Sequence, residues 1–225
     1  MLSASAGKQH KRPGANQPNA WLHAKARLMP QLLVQAPPWV RGVFDHAWAP
    51  MQALTRQVSS LPDALCDYLM ACEVGFLAIC PGESRYQLGP GRIRDREVQN
   101  VAYVSVEDLA HDNERPLHVI GHLIDHHLGC GGDPKGPWLT DGGGATPGWQ
   151  EAGGRLPGLF ALGYGPDEIA LSDVRNYFAQ SLALYCRERQ RLNVADPQIH
   201  KWFRSVLWNK GFWRAQERQR RKGSR

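Results

Sequence analysis

Five of the nine histidines in this 225-residue chain fall between residues 111 and 127: His111, His118, His122, His126 and His127. Imidazole ligates transition metals and moves protons near neutral pH, so this density marks a place to look for chemistry. Wound as a helix at about 100° per residue, Arg115–Leu128 segregates its side chains. His118, His122, Asp125 and His126 share one face, while Leu117, Val119, Ile120, Leu123, Ile124 and Leu128 share the other. His127 falls on the apolar side near the helix end. Histidines at i and i+4 stand on adjacent turns and can converge on one ion. A third ligand from the same straight helix would lie roughly 10–12 Å beyond the first, too far for one ion, so it must come from another element. Asp125 and His126 read as groups that orient imidazoles from the second layer, the bland alternative being a solvated face of an amphipathic helix.

Several elements must position that helix. Leu61–Cys72 opens after Ser59-Ser60 and carries Leu65, Leu69 and Met70 at helical spacing. Val74–Cys80 is a compact apolar run closed by Pro81-Gly82 and reads as a buried strand; Asn100–Val106 alternates and reads as a second. From Trp21 to about Ser60 the chain has helical tendency broken by Pro30, Pro37, Pro38 and Pro50. Residues 129–158 hold eleven glycines and four prolines, a density that predicts no regular element. Gly142-Gly143-Gly144 lacks the Lys-Ser/Thr of a phosphate loop, so the segment reads as a long flexible crossover, the alternative being a functional loop anchored across a cleft by Trp138 and Trp149. Asp167–Arg191 and Pro197–Phe212 read as two further helices. No nucleophile-elbow context surrounds any Ser or Cys.

Lys+Arg 27 against Asp+Glu 21 gives a net charge of +6. Three basic residues with no acid in 1–20, and six against Glu217 in 214–225, leave the 21–213 body at −2. The boundaries follow: a disordered basic arm at 1–20, one folded domain at 21–213, and a basic tail at 214–225 able to touch nucleic acid or anionic lipid. No apolar run reaches the roughly 18 residues of a membrane span, and no apolar stretch of a signal peptide follows the N-terminal basic residues. Five cysteines (Cys66, Cys72, Cys80, Cys130, Cys186) without a C-x-x-C pair predict reduced thiols and a cytoplasmic protein.

The stretch Leu117-His118-Val119-Ile120-Gly121-His122-Leu123-Ile124-Asp125-His126-His127-Leu128-Gly129 resembles the zinc helix of the anthrax-lethal-factor-like metallopeptidases, H-E-x-G-H-x-x-D followed by Leu-Gly. Leu61–Cys80 resembles that family's helix-then-strand lead-in, Asn176–Tyr185 its E-[YF]-F-A-E-x-[FL] helix, and Asp196-Pro197 through Phe212-Trp213 its closing helix. The resemblance covers 61–213 and implies an α+β, zincin-like, mostly helical fold with a small sheet and the histidine helix at a cleft. It also implies zinc on His118 and His122 and a peptide or protein ligand.

Three positions depart from the family. Its catalytic Glu, the base for peptide hydrolysis, falls on Val119; its third ligand, a Glu, falls on Asn176; a second Glu of that motif falls on Gln180. Valine accepts no proton, and a neutral amide is a poor zinc ligand. The leading expectation is a catalytically impaired homologue, a pseudoenzyme retaining divalent-metal binding through the His pair with Asp173 or Asn176 as third ligand. The competing one is an active peptidase with Asp173 as relocated ligand, Glu168, Glu151 or Asp125 as base, and Tyr164 at the oxyanion. A third is association with nucleic acid or membrane through the basic ends.

Overall fold

The computed structural model describes residues 17–223 of the chain. Four strands form one mixed sheet in the order β1-β2-β4-β3: β1 Ala26–Leu28, β2 Phe76–Cys80, β3 Arg85–Ile93 and β4 Arg96–Ser105. β2 runs parallel to β1 and β4, with Leu77 opposite both Ala26 and Ala102. A strand flanked on both sides needs apolar side chains on both faces, which is why the Val74–Cys80 run is unbroken. β3 pairs antiparallel with β4 at the sheet edge and breaks register between Gln87 and Pro90. Proline is tolerated there because the outer side of an edge strand owes no ladder hydrogen bond. With helices gathered on one face of a small sheet, the architecture is α+β.

The histidine helix spans Arg115–Cys130 and lies on β4. Its apolar stripe, including Leu117, Ile120, Ile124 and Leu128, is fully buried in the main core. Across it runs the helix Val174–Arg187, and the two approach closely at Gly121. A Cβ there would stand 2.8 Å from the Ala179 Cα, so only glycine admits this crossing without moving a backbone. A smaller core of Ala78, Cys80, Ile93, Val101 and Tyr103 covers the opposite face of the sheet. All five cysteines are free thiols, and no described helix is long and apolar enough to cross a membrane.

The structure departs from the sequence expectation in several places. Residues 129–158 are not structureless: a 3-10 turn at Leu139–Asp141 and helices Pro147–Gly153 and Leu156–Phe160 occupy them. Several of their glycines serve close approach rather than freedom; a Cβ on Gly129 would meet Leu139 N at 2.3 Å and the Trp138 carbonyl carbon at 2.4 Å. The helix expected from Asp167 starts at Val174, because the Asp173 carboxylate accepts from Arg175 N and Asn176 N and caps it there; it ends at Arg187. The helix expected over Pro197–Phe212 stops at Ser205, and a new one runs Lys210–Gly223, with Asn209 Oδ1 accepting from Gly211 N and Phe212 N. Residues 214–223 therefore continue a helix, and Gln216 is buried against Thr146. Of the arm expected at 1–20, residues 1–16 lie outside the described residues and 17–20 open the helix Gln17–Lys25. β1 and β3 carry no signal that the sequence reading resolved, whereas the helix Ala49–Val58 lies within the helical tendency read from Trp21 to about Ser60.

Candidate functional site

His118 and His122 face each other across one helical turn, their Nε2 atoms 3.1 Å apart. Two Nε2 atoms on one tetrahedral zinc, with bonds of about 2.05 Å, would be about 3.3 Å apart. The pair is thus already at the bite of a single ion. Its tautomers follow from the neighbours. Gln180 Nε2 donates to Asp167 Oδ2 at 2.7 Å and to Glu114 Oε1 at 3.3 Å, which turns its Oε1 toward His118. That oxygen accepts from His118 Nδ1 at 2.9 Å. His118 therefore carries its proton on Nδ1 and presents a bare Nε2 to its partner. His122 donates from Nε2, and its own Nδ1 is buried with no hydrogen-bond partner.

Burial lowers the pKa of both rings, His122 to about 4, where neighbouring His118 depresses it further. Gln180 and Asn176 oppose the fall at His118, and Asp173 and Asn176 oppose it at His122. Both imidazoles are neutral at pH 7, and His122 would ligate metal through Nε2 once its proton stands on Nδ1 instead.

The remaining expected residues divide. Asn176 sits beside both rings. Its Nδ2 donates to Asp173 Oδ2 at 2.6 Å and to Ser172 Oγ at 3.0 Å. Asp173 acts on His122 through its charge, but its oxygens are engaged in capping the helix and holding the Asn176 amide. Among the described residues, no group of three or more His, Cys, Asp or Glu side chains is placed to hold a metal ion. Val119 is buried in the core. Glu151 pairs with Arg155 at 3.0 Å on the surface; Glu168 and Tyr164 are exposed. No hydrogen bond among the described residues joins any of these three to the histidines.

Two second-layer assignments are corrected. Asp125 is fully buried and accepts from Thr140 N at 2.9 Å and Thr140 Oγ1 at 2.7 Å, so it anchors the turn after Trp138 rather than an imidazole. His126 bonds Tyr86 Oη at 2.8 Å and the Asp133 carbonyl at 2.9 Å. A carbonyl only accepts, so His126 is protonated on Nε2 and Tyr86 donates to its Nδ1. The group that orients His118 is Gln180, one of the three departures from the family pattern.

Tyr86 and Trp138 complete the wall. Tyr86 lies parallel to His122 with ring centres 6.5 Å apart, and Trp138 meets His122 edge-on at 5.9 Å. Arg175 covers Trp138 at 4.3 Å while pairing with Asp141 at 2.7 Å. Trp138 thus lies in the site wall, whereas Trp149 packs against Phe212 and Trp213. Tyr86 carried no usable signal, because nothing in the sequence marks 85–93 as a strand that folds back onto the histidine helix.

Compared with protein-family models, with curated proteins and with solved structures, the chain matches none.

Proposed function

We propose that this protein is a catalytically impaired, zincin-like metallopeptidase homologue whose cleft binds a divalent cation, zinc foremost, and receives a peptide or protein segment without cleaving it. The observation that carries the reading is the His118–His122 pair at 3.1 Å, held by the amide of Gln180. Two neutral imidazoles and the oxygen of Asn176 make a low-charge site, so affinity falls below that of a site with a carboxylate ligand. Bound zinc would supply Lewis acidity to a carbonyl oxygen in the cleft.

The chain's own residues then fail to complete hydrolysis. At the base position stands Val119, buried and without a proton acceptor. The nearest acid on the same helix, Asp125, is fully buried and engaged by Thr140. Gln180 positions His118 but neither gives nor takes a proton at neutral pH. The histidine helix lying on a mixed sheet and crossed by Val174–Arg187 supports the zincin-like reading.

Zinc titration by calorimetry on purified metal-free protein tests the binding. His118→Ala and His122→Ala are each expected to weaken it at least a hundredfold, on the order of 2.7 kcal/mol; binding indifferent to both would sink the metal reading. Gln180→Leu removes only the orienting bond, and a loss of about 10–100-fold is expected with the melting temperature nearly held. A peptide-library digest tests the impairment: no chelator-sensitive turnover is expected. Cleavage abolished by both chelator and His122→Ala would instead establish an active peptidase.

A further inference from the structure

A cavity of about 360 Å³ opens at the β1 edge of the sheet, beside the main core, and shares no residue with the histidine site. Four elements build it: the helix Gln17–Lys25, β1 directly after it, the helix Ala49–Val58 and the turn between β3 and β4. That turn arrives because the β3–β4 hairpin curls over the sheet. Ile93 packs with Ala78 and Cys80 of β2, and Arg94, at φ 55°, sends Nε to the Leu28 carbonyl of β1 at 3.1 Å. Leu22, Ala26, Leu28 and Met51 give the cavity an apolar floor.

The polar lining is one-sided. Arg27, Arg94 and His23 line the cavity, and among the described residues no Asp or Glu does. Arg27 Nη1 donates to the carbonyls of His23 and Ala26, at 3.0 and 2.7 Å, and Arg94 uses only Nε. Among the described residues neither guanidinium forms an ion pair, so Arg27 Nε and Nη2 and both Arg94 terminal nitrogens remain to donate. Guanidinium presents these donors in a planar fork matched to carboxylate or phosphate oxygens. At the mouth stands Trp48, 61% exposed, with its backbone N–H on His46 Nδ1. So large an indole left open beside two unpaired cations gives a flat partner one face on which to stack.

We propose that this cavity binds a small planar aromatic anion, its ring over Trp48 and the apolar floor and its carboxylate or phosphate oxygens on Arg27 and Arg94. A ring system of one or two rings with a single acidic group fits the volume. The sequence ahead of the first helix carries Lys8, Lys11 and Arg12 and no Asp or Glu.

Calorimetric titration of the full chain with 2-naphthoate, its neutral amide and inorganic phosphate tests each half of the proposal. Saturable binding of the naphthoate is expected, with the amide and the phosphate each at least tenfold weaker. The double variant Arg27→Gln/Arg94→Gln should weaken the naphthoate at least tenfold while leaving the amide unchanged. Trp48→Leu should weaken both aromatic ligands. Melting curves of each variant, and its zinc binding, report whether the fold is intact. Equal affinity for acid and amide, phosphate binding as tightly as naphthoate, indifference to the arginine pair in a folded variant, or no saturation below about 5 mM would each overturn it.

Discussion

Gly129→Ala is expected to be among the most destabilising single-methyl additions in this chain, lowering unfolding free energy by about 3–4 kcal/mol. The new Cβ would point at Leu139 N, the Trp138 carbonyl carbon and the Pro137 carbonyl oxygen, at 2.3, 2.4 and 2.5 Å. All three are backbone atoms, so no side-chain rotation relieves the clash. Either the histidine helix or the Pro137–Asp141 segment must move. That segment carries Trp138 against His122 and Thr140 against Asp125, so movement there spreads into the site wall. For a domain of this size each kcal/mol shifts the melting temperature by about 2–4 °C, so a fall of roughly 6–16 °C is expected in thermal denaturation. By contrast Gly158→Ala, with nothing within 4 Å of its Cβ, should leave the melting temperature within about 2 °C. Equal melting temperatures for the two variants would show that the close approach at Gly129 is not rigid.

Asp125→Ala should cost about 3 kcal/mol by a different route. It strands Thr140 N–H and Oγ1 in a fully buried place, where an unsatisfied donor costs roughly 1–3 kcal/mol. Asp125→Asn keeps one acceptor, and Thr140 Oγ1 can accept from the new amide, so its cost is smaller. The two also differ from wild type in pH dependence. Burial pushes the Asp125 carboxyl up to about 7, against the two Thr140 hydrogen bonds that favour the charged form. A carboxyl raised on folding stabilises the fold below its unfolded pKa near 4, and that contribution is lost as pH rises from about 4 through 7. His127 has the opposite sign. Burial lowers it to about 4 despite the Leu123 and Val74 carbonyls beside it, so its contribution is complete above about 6.5 and is lost as pH falls toward 4. In the wild type these slopes oppose each other between pH 4 and 6.5. In Asp125→Asn only the histidine slope remains, so denaturant midpoints should climb with pH across that window more steeply than in wild type. Parallel wild-type and Asp125→Asn profiles would show that Asp125 does not titrate between folded and unfolded states.

The core of the fold was readable where periodicity was strong. The helices at 63–71 and 115–130 and the strands at 76–80 and 96–105 answer to runs whose apolar spacing leaves one geometry. The histidine pair was readable for the same reason, since i and i+4 on a helix share a face. What went unread has a common cause. β1 is three residues long and exists only because β2 offers it an edge. β3 holds Gly89, Pro90 and Gly91, which argue against a strand until the β4 partner and the curl over Ala78 and Cys80 supply the stabilisation. Glycine density at 129–158 predicts freedom when counted, but Gly129 and Gly121 mark contacts so close that no other residue fits. Counting cannot tell the two apart, because the difference lies in what stands opposite.

Alone, then, the sequence determined that the apolar stripe of the histidine helix faces a core, that His118 and His122 share one turn, and that the positive charge gathers at the ends. Local spacing and residue chemistry suffice for each. Tertiary structure decided that Gln180 orients His118, that Asp125 holds Thr140 and His126 holds Tyr86, that Asp173 is engaged in capping a helix, and that Arg27, Arg94 and Trp48 surround one cavity. Those relations join residues as much as 67 positions apart, as Arg27 and Arg94 are. They depend on which backbone passes within hydrogen-bonding reach of which, and only the packed core fixes that.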